Sequence, residues 1–149
     1  MFVPSVKFRE VIQLTPLISI DLLIENDNGE YLFGLRNNRP AKNKFFVPGG
    51  RIRKNESIEN AFKRISFIEL GKEYDISKSF FNGVWEHFYD DSFFSDVETT
   101  HYIVLCYKLK VLKNELYLPD NQHSEYLWIS EEQIINFNDI HEYSKNYFL

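Results

Sequence analysis

Residues 17–25 read Leu-Ile-Ser-Ile-Asp-Leu-Leu-Ile-Glu, an apolar run interrupted by Asp21 that predicts a buried strand. Asp27-Asn28-Gly29 supplies turn residues between two apolar stretches, so a hairpin is expected, returning as a strand over Tyr31 to Arg36. Phe45 to Val47 forms a short third strand stopped by Pro48. A helical period then runs from about Ser57 to Leu70, with Gly71 as its stop. Further strands are predicted around Phe80 to Tyr89, Tyr102 to Val111 and Tyr126 to Ile129. A short helix is expected from Ser130, capped by its hydroxyl, and another over His141 to Phe148. No linker, repeat or low-complexity tract divides the chain. The expectation is one domain over residues 1–149, an α+β fold with a mixed sheet covered by helices.

The helix carries one anomaly. At about 100° per residue, Ile58, Ala61, Phe62, Ile65 and Ile68 fall in one apolar arc. Glu69 lies inside that arc as its only charged member. A carboxylate on a buried stripe is costly unless it meets a cation or a metal; the alternative is that Glu69, near the helix end, bends out to solvent. Spacing alone leaves both open.

Composition narrows the class. Phe, Tyr and Trp number 14, 9 and 2, enough for a packed core, which excludes general disorder. The net charge of −5 argues against a general nucleic-acid binder. A lone cysteine, Cys106, permits no intramolecular disulfide and is expected to pack in a strand. The longest apolar stretch, Pro16 to Ile24, is far short of the about 20 residues a membrane-spanning helix needs. A cytoplasmic protein with no membrane partner is expected.

The charge is unevenly spread. Arg36, Arg39, Lys42, Lys44, Arg51, Arg53 and Lys54 fall in a window with no acidic residue, and that window encloses Val47-Pro48-Gly49-Gly50. A solvated basic face is the plain reading. Basic side chains around a Gly-Gly turn leading into a helix also describe a diphosphate cradle, and the combination favours the cradle.

Gly50, Glu56, Arg64, Glu69 and Gly71, at these spacings, resemble the box of the Nudix hydrolases, G-x5-E-x7-R-E-U-x-E-E-x-G-U. Two of the box glutamates are replaced, by Ile65 and Ile68, and Ser66 and Lys72 stand at the aliphatic positions. In this respect the chain resembles the branch that hydrolyses GDP-mannose at carbon instead of phosphorus. Thr15-Pro16-Leu17, Asn38-Arg39-Pro40-Ala41, the segment from Phe46 to Arg51, the segment from Gly83 to Asp91, Thr99 to Tyr102 and Leu118 to His123 extend the likeness over nearly the whole chain.

The resemblance implies a Nudix-type α/β/α sandwich around a central mixed β-sheet. It implies one Mg2+ per site, replaceable by Mn2+, on the Gly49 carbonyl, the Glu69 carboxylate and the Gln122 side-chain oxygen. His123 is implied as the base that activates water. Arg36 is expected to stabilise the departing diphosphate, and Arg51 to contact the phosphate or the sugar end. Arg64 either acts on that group or anchors the loop by an ion pair with Glu56, which itself is not counted a ligand. Asp21 is implied as a sugar-hydroxyl contact and Phe8 as a base-stacking residue near a homodimer interface. Tyr102 is assigned to a phosphate and Trp85 to the sugar pocket, core packing being the ordinary alternative for each. His87 and His101 are as readily structural as functional, and His141 reads as surface. Lys7 departs from the family's acidic residue before Phe8, and an ammonium cannot accept from guanine.

The expected reaction is therefore hydrolysis of GDP-mannose, or GDP-glucose, to GDP and free sugar with inversion at the anomeric carbon. Two rivals are a Nudix pyrophosphatase cleaving phosphorus–oxygen bonds of a nucleotide sugar and a catalytically idle nucleotide-binding domain.

Overall fold

The computed structural model describes residues 5–119 and 123–149. Its sheet is mixed. β1 (Leu17–Glu25) runs parallel to β6 (Thr100–Lys110) with nine residues in register, from Leu17↔Tyr102 to Glu25↔Lys110. β5 (Phe80–Tyr89) pairs antiparallel with β6 at one edge. β2 (Glu30–Arg36) pairs with β7 (His123–Ser130) and with β3 (Phe45–Phe46).

β1 and β2 meet only at Glu25↔Tyr31, next to the hairpin turn, and then diverge. The segment 45–51 fills the gap, β3 lying on β2 and β4 (Gly49–Arg51) lying on β1. This splay positions the site. Gly49-Gly50 is therefore a paired strand, which corrects the expectation of a turn opening directly into a helix. Glycine is required there because a Cβ on Gly49 would run into Asp21 Oδ1 and lie 2.6 Å from the Ile20 carbonyl oxygen.

α2 (Ile58–Leu70) covers one sheet face. Ser57 caps it, accepting from the Asn60 amide at 3.1 Å, and Gly71 ends it with φ 74°. Ala61, Phe62, Ile65 and Leu70 pack on Ile20, Leu22, Ile24 and Leu109. The buried stripe is rotated slightly from the predicted arc, for Ile58 and Ile68 lie at its exposed borders while Ser66 and Glu69 are buried. On the opposite face, α3 (Glu131–Ile134) and α4 (Glu142–Asn146) bring Ile134 and Tyr147 against Leu23, Phe33 and Cys106. Burial pushes the Cys106 thiol up to about 12, so it is a packing residue.

Two ends differ from the pattern reading. Ser130 precedes α3 but its hydroxyl makes no capping bond. α1 (Ser5–Leu14) was not expected as a helix; it buries only Ile12 and is tied down by Arg9 and Gln13, which both reach Glu98. No helix among the described residues is long and apolar enough to cross a membrane.

Candidate active site

The gap between β1 and β2 opens into a cavity of about 550 Å3. Among its lining residues are Phe8, Asp21, Arg36, Gly49, Arg51, Arg64, Glu69, Tyr102 and His123, so side chains far apart in the chain converge on one space. Gln122 lies outside the described residues. Trp85 does not line the cavity; its indole donates to the Asn82 carbonyl at 2.9 Å and packs edge-on against Tyr147, further along the β5 face whose His87 and Tyr89 reach the cavity. Lys7 is exposed on α1 and is also absent from the lining.

Glu69 turns inward. Its side chain is buried and its Oε1 accepts from the Gly49 amide at 3.2 Å. This is possible because Gly49 faces Asp21 at a register position whose backbone groups point away from β1; the neighbouring even-numbered positions make the ladder, as in Leu22 N–H to the Pro48 carbonyl at 2.8 Å. Ile65 and Ile68 line the cavity beside Glu69, where the box of ordinary members carries carboxylates.

His123 enters from the start of β7, opposite Arg36. It is buried, with Nε2 3.9 Å from Glu69 Oε1, and among the described residues its Nδ1 has no hydrogen-bond partner. His101 Nε2 also lacks a partner among the described residues, so what distinguishes His123 is its place in the cavity wall beside Glu69. Gly34 makes room for the ring: a Cβ there would stand 2.7 Å from both Cγ and Nδ1.

Arg64 makes a bidentate pair with Glu56, at 2.7 and 2.9 Å, and donates to the Arg51 carbonyl at 2.7 Å. Glu56 also accepts from the Arg53 amide at 3.0 Å, and the Arg64 hydrogen bonds hold its carboxyl down at about 2. Arg64 is thus an anchor of the β4–α2 loop on the cavity wall. Arg36 and Arg51 stack on Phe46 at 5.3 Å and on Phe8 at 4.6 Å, and among the described residues neither has a carboxylate in salt-bridge range. Burial lowers the Arg51 pKa, and Tyr102, nearby, is pushed upward by burial.

Asp21 shares the α4 face of β1 with Leu23. Burial raises its carboxyl from 3.8 to about 6, against the opposing effects of Tyr147, which donates to Oδ2 at 2.6 Å, and of Arg36. His87 also lines the cavity, and burial followed by repulsion from His141 lowers it to about 4. His101 lies instead on the face of β6 opposite Tyr102, stacked on Phe88. His141 is not simply surface: it caps α4, accepting from the Tyr143 amide at 3.1 Å, and stacks on Phe46.

Several lining residues escaped the sequence reading. Phe93 and Phe94, in the β5–β6 loop, form an aromatic mouth with Phe8, the Phe8 and Phe94 rings meeting edge-to-face at 6.2 Å. Tyr89 and Asn38 line the wall. The blocks from Asn38 and from Gly83 to Asp91 marked two of these regions without assigning roles.

The donor set suits a hard divalent cation. Glu69 offers a carboxylate and Gly49 a carbonyl directed away from β1, while no cluster of three or more His, Cys, Asp or Glu side chains among the described residues could hold a metal. Such a sparse set fits Mg2+ that takes its remaining oxygens from water and substrate phosphates.

Comparison with known proteins places the fold in a family. Residues 15–148 match the family model of the NUDIX domain. The low-salt glycan biosynthesis protein Agl8 of Haloferax volcanii is 34% identical over 123 residues, covering 83% of this chain and 76% of that protein. The crystal structure of a MutT protein from Methanosarcina mazei superposes with a TM-score of 0.72 at 25% identity, over 89% of this chain and 91% of that one. The NUDIX domain of Shewanella oneidensis NrtR, solved with ADP-ribose, shares the fold at 14% identity, with a TM-score of 0.62 over 91% and 88% of the two chains.

Proposed function

Because the chain belongs to the Nudix family, whose hydrolases act on nucleotide derivatives with a divalent metal, we propose that it hydrolyses a nucleoside diphosphate hexose, GDP-mannose or GDP-glucose, at the anomeric carbon. The observation that carries the reading is the pairing of His123 with Glu69 beside Ile65 and Ile68. The helix presents one carboxylate to the cavity where attack on phosphorus calls for several. Glu56, the other box carboxylate, is spent on Arg64 and the Arg53 amide. That disfavours the pyrophosphatase, and the convergence of Glu69, His123 and the arginines disfavours an idle domain.

In this mechanism His123 Nε2, the nitrogen facing Glu69, takes the proton of the attacking water. Attack from the side opposite the nucleotide inverts the anomeric centre and yields GDP and the β-sugar from an α-linked donor. Arg36 and Arg51 spread the charge of the departing diphosphate, so no carboxylic acid is needed to protonate it. Glu69, the Gly49 carbonyl and the Gln122 side chain would hold Mg2+ or Mn2+, which supplies electrostatic stabilisation of the leaving phosphates. Asp21 receives sugar hydroxyls, Tyr102 a phosphate oxygen, and Phe8 stacks on the base. With exposed Lys7 in place of a carboxylate, selectivity for guanine is weak. The Haloferax relative's place in glycan biosynthesis supports a sugar-bearing substrate. A homodimer and a cytoplasmic setting complete the proposal.

An anomer-resolved product assay with GDP-, ADP- and UDP-hexoses tests it. Nucleoside diphosphate and β-hexose are expected, and His123→Gln lowers kcat by about 10²–10⁴-fold. Nucleoside monophosphate with sugar 1-phosphate, or an unchanged rate in the variant, overturns it.

A further inference from the structure

Tyr147 follows α4 and is buried among core residues, yet its hydroxyl touches two residues that line the cavity, Asp21 and His87. It lies 2.6 Å from Asp21 Oδ2 and 3.3 Å from His87 Nε2. A phenol has a single proton to give, and an ionised carboxylate only accepts. The proton therefore goes to Asp21, and the phenol oxygen is left to accept from His87. That order demands hydrogen on Nε2.

Stacking fixes the plane of the imidazole. His87 stacks on Tyr143 with centroids 4.3 Å apart and planes within 3°. Tyr143 is itself fixed by donating to the Phe88 carbonyl at 2.7 Å and accepting from the Phe88 amide at 3.0 Å. Burial, aided by His141, keeps His87 neutral at pH 7, so it carries one ring proton only. Such a chain of hydrogen bonds polarises along its length. Removing the phenol oxygen severs it at the middle.

We propose that Tyr147 is a positioning residue of the pocket: its hydroxyl clamps Asp21 from behind and fixes His87 as the Nε2–H tautomer, so that Asp21 Oδ1 and His87 Nδ1 remain as acceptors for ligand hydroxyls. The identity of that ligand as a hexose rests on the hydrolase reading; the tautomer does not. α4 thereby becomes part of the site's scaffold, a role reinforced by Ser144, whose hydroxyl oxygen accepts from the Val47 amide at 3.1 Å just before the glycine strand.

The test is nitrogen-15 NMR of histidine-labelled protein at pH 7, with and without Tyr147→Phe. In the parent protein His87 is expected to show a protonated Nε2 and a pyridine-like Nδ1. Protonation at Nδ1, or on both nitrogens, overturns the proposal even if the variant fails to fold. Tyr147→Phe is expected to give mixed tautomers and to raise KM for the nucleotide sugar about tenfold while kcat stays within about twofold, as for the loss of a hydrogen bond to a charged group in the bound complex. An unchanged tautomer, or an unchanged KM in a protein that does turn over nucleotide sugars, overturns it. A parent protein that hydrolyses no nucleotide sugar, yet shows the Nε2–H form and loses it in Tyr147→Phe, refutes the hydrolase reading and leaves the positioning role in place.

Discussion

Asp21→Asn is expected to make the protein more stable at neutral pH. The carboxyl sits mid-strand, where burial raises it from 3.8 to about 6 despite the Tyr147 hydrogen bond and Arg36. A gap of about two pKa units corresponds to about 3 kcal/mol of preference for the protonated form in the native state. The native protein therefore holds this proton between the unfolded value near 3.8 and the folded value near 6, while the unfolded chain has released it. Native stability falls as pH rises through that window, and the full cost of the charge is borne above it. An asparagine escapes this cost. Urea unfolding of both proteins in chelator, from about pH 4 to pH 8, measures the difference. The advantage of the variant should grow between about pH 4 and pH 6 and level off about 3 kcal/mol above its value at the acid end. Glu56, lowered to about 2 by Arg64, acts in the opposite sense and loses its contribution as pH falls below 4.5, but does so in both proteins and cancels. A stability difference that is flat across the range, or that shrinks as pH rises, refutes the reasoning.

Gly34→Ala places a Cβ 2.7 Å from the His123 ring; it should cost about 1–3 kcal/mol of stability and lower kcat by at least about tenfold, read by thermal unfolding and steady-state kinetics. Glu56→Gln leaves the Arg64 guanidinium with a neutral partner, so a loss of about 2 kcal/mol is expected in urea unfolding, together with a raised KM as the Arg51 loop loosens. Chelation should abolish turnover and Mg2+ or Mn2+ restore it, while Glu69→Gln should raise the metal concentration for half-maximal rate at least about tenfold, a shift seen in metal titrations of activity.

The helix α2 was readable because both its ends carry chemistry of their own: Ser57 has a side-chain acceptor and Gly71 tolerates φ 74°. β1 was readable from its dense Leu and Ile content. The two charges that interrupted these apolar surfaces, Asp21 and Glu69, stood out because burying a carboxylate is expensive, and both reach the cavity. The rest lacked such a signature. α1 has only a short apolar stripe, Phe8, Val11 and Ile12, of which Ile12 alone is buried. β4 is built on two glycines chosen for the space beside Asp21 and Ile65, and glycine pairs in a sequence read as turns. Tyr147 belongs to an aromatic C-terminal run whose hydroxyls and rings cannot be assigned until α4 is docked, and Trp85 packs on Tyr147 while His87 and Tyr89, on the same face of β5, reach the cavity, a difference that alternation cannot show. The room that the His123 ring occupies depends on Gly34, nearly ninety residues earlier in the chain.

The most direct measurement follows the oxygen of water. Turnover of GDP-mannose in oxygen-18 water, with both products analysed by mass spectrometry, should place the label on the anomeric hydroxyl of the hexose and leave GDP unlabelled. Label on a phosphate, in either product, would show attack at phosphorus and contradict the account.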